Sequence, residues 1–221
     1  MRIAIVSAAF LLSACGGGAI PPEWQSRSHA SLERFGQLYL EGNSRLAERS
    51  FAEAKAAVAS TARPDLAARA ELVRCALGTA ALDVEACSAF ESSRNDATAE
   101  DRVYGDFVIG QLRAQDATRL PAQYRGIATA RGEAARNKAL QSITDPVSRL
   151  VAAGVLFRLA ELSPEALATA IDTASAQGYR RPLLAYLGVQ AKRAESTGDT
   201  AALQSIQKRI DLVYQSLSSA K

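Results

Sequence analysis

The stretch PVSRLVAAGVLFRLAEL, residues 146–162, is apolar on nearly every side of the helix that it would form. Its polar face is reduced almost to Arg149 and Arg158. Asp145 precedes it as a favourable N-cap, and Pro146 suits the first turn of a helix because its missing N–H would have no partner there. A helix that is apolar nearly all round is buried on several sides. We therefore expect this helix at the centre of the fold.

The rest of the chain carries helical patterns separated by prolines and glycines. Proline stands where five of the predicted helices begin, at Pro64, Pro121, Pro146, Pro164 and Pro182. Gly178 and Gly198 are expected helix stops. Helices are predicted near residues 26–41, 44–61, 64–80, 84–93, 98–115, 121–141, 146–162, 164–177, 182–196 and 199–217. Because alternating strand patterns are hard to find and alanine is abundant, the chain is predicted to be all-α.

The first two predicted helices form an antiparallel hairpin, since only two residues separate them. Six residues of this hairpin resemble the tetratricopeptide repeat pattern: Gly36, Tyr39, Gly42, Ala47, Phe51 and Ala54. A later set resembles it with a longer turn: Leu187, Gly188, Ala191, Ala202 and Ile206. The resemblance implies an array of about five antiparallel helical hairpins, a tetratricopeptide-like α-solenoid. A compact irregular α-bundle is the alternative.

The amino terminus has the features of a secretory signal. Arg2 precedes ten mostly apolar residues, 3–12, and small residues follow them. A helix of ten residues is about 15 Å long, half of the roughly 30 Å hydrocarbon core of a bilayer. This segment is therefore too short to span a membrane. A buried first helix is disfavoured because three glycines and two prolines follow at 16–18 and 21–22.

The signal segment ends in an aliphatic residue, two small residues and a cysteine, Leu12-Ser13-Ala14-Cys15. This sequence resembles the lipobox of bacterial lipoproteins. The resemblance implies cleavage before Cys15, a diacylglycerol thioether on its sulfur and acylation of the new amino terminus. Two or more acyl chains anchor a protein stably, whereas one chain binds only marginally. Since Gly16 and not aspartate follows the cysteine, the resemblance favours the outer membrane, with the protein facing the periplasm.

These features predict a signal peptide over 1–14, a lipidated cysteine and flexible tether over 15–25, and a helical domain over 26–221. The whole chain has 26 Lys and Arg against 23 Asp and Glu. Loss of Arg2 would leave 25 against 23, so the mature protein is nearly neutral. Nucleic acid is not an expected partner, because binding it needs a concentrated basic face. The membrane is expected to be reached through the lipid, as no later stretch approaches about 18 apolar residues.

Cys75 and Cys87 are expected near each other, because a turn near Asp83 would bring their two helices together. After lipidation of Cys15 they would be an even number of thiols in an oxidising compartment, which favours a structural disulfide. Closing a loop of this size stabilises by roughly 3 kcal/mol in the chain-entropy model. Buried free thiols and a metal pair are the alternatives, although a zinc site needs more ligands than these two.

No catalytic constellation is visible in the sequence. His29 is the single histidine, and it lies beside the tether with no motif around it, so we expect it on the surface. A nucleophile–histidine arrangement would have to use it. No glycine-rich phosphate loop follows a strand. The chain is therefore predicted not to be an enzyme and to hold no cofactor and no metal.

A lipid-anchored helical array without catalytic groups predicts an interaction protein, an adaptor or scaffold with an envelope protein as partner. By layout it resembles lipoproteins that help secretion systems, pili or outer-membrane barrels to assemble, which is an analogy of architecture only. A peptidoglycan-binding or small-ligand-binding lipoprotein is the alternative. The candidate partner contacts are Tyr179, Arg180 and Arg181, an aromatic beside two donors at a helix–helix turn that we expect not to pack inside.

Overall fold

A computed structural model describes residues 21–218. Every regular element in this range is helical. The α-helices are α1 (Glu23–Leu40), α2 (Ser44–Ala59), α3 (Pro64–Ala80), α4 (Ser88–Ser93), α5 (Ala99–Val108), α6 (Ala122–Thr129), α7 (Glu133–Ser142), α8 (Pro146–Arg158), α9 (Pro164–Gln177), α10 (Arg180–Thr197) and α11 (Thr200–Ser218). Short 3-10 helices occur at Glu85–Cys87, Arg94–Asp96 and Ala114–Arg119. The all-α prediction is confirmed for residues 21–218.

The caps predicted for α8 and α9 and the stops predicted at Gly178 and Gly198 are confirmed, whereas α10 begins at Arg180 and not at Pro182. Asp145 caps α8, its Oδ2 accepting a hydrogen bond of 2.7 Å from the backbone N–H of Ser148. Ser163 caps α9 in the same way at 3.0 Å. Gly178 and Gly198 end α9 and α10 with φ of +68° and +70°, a conformation that glycine adopts without steric cost.

The single helix predicted over 121–141 is wrong, because the structure has α6 and α7 there. Gly132 separates them with φ of +80°. The predicted helix runs through this glycine, whereas its left-handed conformation ends the helical path. The described range therefore has eleven α-helices where ten were predicted. The helix predicted over 98–115 is also shorter, since α5 ends at Val108 before Gly110, with φ of +78°.

Helix α8 lies at the centre, as predicted. Its residues from Leu150 to Leu156 are all buried, and it packs on α3, α9 and α5. The closest approach is at Gly154, where an added Cβ would lie 2.0 Å from the carbonyl oxygen of Thr79 in α3. The helix ends at Arg158 and not at residue 162, although Leu162 itself is buried. Phe157 and Leu159 are 40% and 44% exposed.

The chain combines helical hairpins with contacts between helices far apart in sequence. Helix α1 packs along α2, and α10 packs on both α9 and α11. In a solenoid each repeat contacts only its neighbours. Here α3 packs on α8, and α1 also touches α10, which are features of the bundle alternative. Among residues 21–218, no helix has both the length and the apolar character needed to cross a membrane.

Candidate functional site

An open groove beside α1 has a volume of about 640 Å³. Its floor consists of five aliphatic side chains from three helices: Leu32, Leu40, Val73, Leu77 and Val147. Gln177 and Tyr179, at the turn between α9 and α10, close one end. We name this cavity the α1 groove.

Two faces of α1 serve different purposes. One face is buried against α2 and contains Ser31, Phe35 and Tyr39. The other face lines the α1 groove through residues at positions 29, 32, 33, 36, 37, 40 and 41. These positions recur every three or four residues, so they form one stripe along three turns of the helix. This second face is exposed to solvent at His29, Glu33 and Gln37, whereas Leu40 is buried.

Gly36 lies midway along this stripe. It is helical, and a Cβ added there would lie 3.5 Å from Leu77 Cδ1, an ordinary van der Waals distance. The missing side chain therefore leaves a gap in the middle of the groove. Larger side chains at this position would occupy the space that a ligand would use.

Carboxylates surround the groove. Glu33 and Glu41 line it. Burial raises the pKa of the Tyr179 hydroxyl, which also lines the groove, and the negative charges of Asp145 and Glu41 raise it further. His29 Nδ1 lies 3.4 Å from Glu33 Oε2. Glu41 accepts hydrogen bonds from the side-chain amides of residues 37 and 43. Within residues 21–218, none of these three carboxylates forms an ion pair with arginine or lysine.

A second cavity of about 350 Å³ adjoins the α1 groove, because Val73, Leu77 and Val147 line both. Its far wall carries Tyr104 and Tyr124, whose hydroxyls lie 3.3 Å apart. Burial raises the pKa of both tyrosines. The apolar floor of the groove therefore continues across α3 and α8 toward α5 and α6.

The predicted partner contacts lie at the start of α10. Arg180 Nε donates to the carbonyl oxygen of Glu41 at 2.8 Å, and Arg181 Nε donates to that of Tyr39 at 2.7 Å. The guanidinium of Arg181 also lies 4.2 Å from the centre of the Tyr39 ring. Carbonyl groups at the end of a helix have no intrahelical partners, so the two arginines cap α1 and attach it to α10.

The expectation that this turn does not pack inside is therefore wrong for Arg180 and Arg181. Both are half-buried and bonded to the end of α1. Tyr179 lines the α1 groove. The role of the three residues in binding a partner stays a prediction.

Cys75 and Cys87 lie at disulfide-bonding distance, with their sulfur atoms 2.00 Å apart. Both are buried. Thr79 Oγ1 lies 3.9 Å from Cys87 Sγ, and a guanidinium nitrogen of Arg158 lies 3.8 Å from it. Burial lowers the pKa of this arginine. The pair fixes the 3-10 helix after α3 to α3 itself, next to the contact with α8.

Two other predicted features concern Cys15 and His29. Cys15 lies outside the described residues. His29 is exposed, as predicted, at the edge of the α1 groove. No group of three or more histidine, cysteine, aspartate or glutamate side chains within residues 21–218 is arranged to hold a metal ion.

Comparisons with protein-family models, curated proteins and solved structures found no match for this chain. The α1 groove was not predicted from the sequence. Leu32 belongs to the apolar helical pattern of residues 26–41, but such a pattern does not distinguish a face that packs on a neighbour from one that stays open.

Proposed function

We propose that the chain is a lipid-anchored envelope protein whose helical domain binds a protein partner in the α1 groove. Its role would be that of an adaptor or scaffold in the assembly of a secretion, pilus or outer-membrane system. The observation that carries the proposal is the groove itself, an open cavity along α1 whose apolar floor includes the half-buried side chains of Leu32, Val73 and Val147. Contiguous exposed apolar surface rimmed by polar groups is typical of interaction sites. The lipobox resemblance at Cys15 supports the anchor.

Site-specific photo-crosslinking in intact cells tests the groove. A photoreactive amino acid at Gln37 or Tyr179, both in the groove lining, should give one envelope-protein adduct. The same amino acid at Arg45, which is exposed on α2 and outside the groove, is the matched control and should not give that adduct. Equal adducts from all three positions, or none from the groove, would contradict the proposal.

Metabolic labelling with a fatty-acid probe tests the anchor. Cys15→Ser removes the sulfur that would carry the diacylglycerol, so the variant should remain an unprocessed precursor without label. The unchanged chain should be labelled and shorter. Equal labelling of both chains would show that Cys15 is not the lipidated residue.

The volume of the α1 groove also supports a second candidate, a small-ligand-binding lipoprotein, since 640 Å³ lies within the usual range of ligand pockets. Native mass spectrometry of protein purified from envelopes distinguishes the two. A retained small molecule that is lost on filling the groove with Gly36→Phe would favour this candidate over the adaptor.

A further inference from the structure

We propose that the occupant of the α1 groove is a helical peptide segment with an apolar face and with lysine or arginine residues spaced seven or eight positions apart. This inference rests on the proposed function and specifies the chemistry of the partner. It follows from the floor, the charges and the length of the groove.

The floor requires an apolar face on the occupant. Leu32, Val73 and Val147 are half-buried, so contact with an apolar side chain would remove more of their surface from water. The stripe along α1 runs from residue 29 to residue 41, which is about 18 Å at 1.5 Å per residue. A helix laid in a groove presents anchors at i, i+3, i+4 and i+7, which is about 10 Å, so the groove accommodates two to three turns.

The carboxylates that line the groove favour an occupant with basic side chains. Glu33 and Glu41 are in the lining, and Asp145 is near enough to raise the pKa of Tyr179. No lysine or arginine belongs to the lining of this cavity. Arg180 lies at the end of α1, where its Nε donates to the Glu41 carbonyl oxygen, and it does not line the cavity. An acidic segment would therefore meet the like charges of Glu33 and Glu41 in the lining, whereas a basic one would meet complementary charge.

The spacing of the carboxylates favours a peptide over a small organic cation. Glu33 and Glu41 are eight residues apart on α1, about 12 Å along its axis. One small cation reaches one of them. Two basic residues seven or eight positions apart on a helix are separated by about 10–12 Å, so a helical segment reaches both. Gly36 lies between the two carboxylates and leaves room for an apolar side chain of the segment.

Three synthetic peptides test this chemistry on the full chain, held on a sensor surface in a neutral detergent with an empty channel subtracted. The first has leucine at i, i+3, i+4 and i+7 and lysine at i+1 and i+8, seven positions apart along one edge of the apolar face. The second has glutamate in place of each lysine, and the third is a scrambled form of the first. We expect the lysine peptide to bind at least tenfold more tightly than the other two, and the difference to shrink in high salt.

Two variants locate the binding in the groove. Glu33→Gln with Glu41→Gln should weaken the lysine peptide by about three- to twentyfold, the range expected for two exposed ion pairs. Asp172→Asn with Glu195→Gln makes the same change of charge at exposed positions outside the groove and should leave binding within twofold. Gly36→Phe should abolish binding while circular dichroism and melting temperature show an intact fold.

Specific outcomes overturn the proposal. Equal binding of the lysine and glutamate peptides, or no binding of either, would show that charge does not select the occupant. A dimer that Gly36→Phe dissociates, seen by analytical ultracentrifugation, would identify a second copy of the chain as occupant instead. If the groove crosslinks to a partner in cells while the peptides show no preference for lysine, this inference fails and the proposed function stands.

Discussion

Helix α3 contacts α8 on one side and α1 on the other, and a glycine lies at each contact. At the α8 contact, a Cβ on Gly154 would lie 2.0 Å from the Thr79 carbonyl oxygen, closer than any real contact. At the α1 contact, a Cβ on Gly36 would lie 3.5 Å from Leu77 Cδ1. The first glycine is required for two helix backbones to approach. The second leaves a gap that forms part of the α1 groove.

The difference shows how one domain separates stability from binding. The side of α3 that faces α8 is closed and buried, and it holds the two cysteines close by. The side that faces α1 is only partly covered, since Val73 remains half-buried. Protein interiors are close-packed, so a change on the closed side forces neighbours to move, whereas a change on the open side fills space.

The largest effect is expected from removing the cysteine pair on the closed side. Cys75→Ser with Cys87→Ser should lower the free energy of unfolding by about 3 kcal/mol, because a loop closed over a separation of 12 residues no longer restricts the unfolded chain. For a domain of this size the melting temperature should fall by about 6–12 °C.

Non-reducing peptide mapping of protein from the envelope should link the peptides that contain Cys75 and Cys87. Recovery of both as free thiols under alkylating lysis would contradict the disulfide. The melting temperature of the unchanged chain with and without reductant serves as the control, since the double serine variant should not respond to reductant.

A smaller loss is expected from Gly154→Ala. The added methyl group would force α3 and α8 apart, and such overpacking typically lowers the free energy of unfolding by about 1–3 kcal/mol. Alanine favours a helix over glycine, which offsets up to about 1 kcal/mol of this loss. We expect a net loss of about 1–2 kcal/mol in urea denaturation. An unchanged or higher free energy of unfolding would show that the two helices are not in close contact at this point.

Much of the fold could be predicted because its signals are local. The caps at Asp145 and Ser163 and the stops at Gly178 and Gly198 depend on residues next to each helix end. The break at Gly132 was missed because a glycine within a helical pattern can either continue the helix or end it in a left-handed conformation, and the surrounding structure decides which. The pairing of α3 with α8 and the capping of α1 by Arg180 connect residues far apart in sequence, which no local pattern reports.

The candidate site was the least predictable part for the same reason. The sequence drew attention to Tyr179 and its two arginines because an aromatic beside donors is typical of binding surfaces. In the structure both arginines donate hydrogen bonds to backbone carbonyl oxygens at the end of α1. Tyr179 lines a groove made mainly by α1. An open face exists only because neighbouring helices fail to cover it, and coverage is decided by tertiary packing.

The smallest effect is expected on the open side, and it has the opposite sign. Gly36→Ala should raise the free energy of unfolding by about 0.5–1 kcal/mol, because alanine favours a helix over glycine and the new methyl group meets Leu77 at an ordinary distance. The melting temperature should rise by about 1–4 °C. The lysine peptide should bind this variant within about twofold of the unchanged chain, since a single methyl group occupies little of the 640 Å³ groove. Gly154→Ala, measured alongside, makes the same chemical change on the closed side, so the two variants should differ in sign. A loss of stability in Gly36→Ala would mean that α1 and α3 are in closer contact than the groove allows, and the groove would then be too narrow for a helical segment.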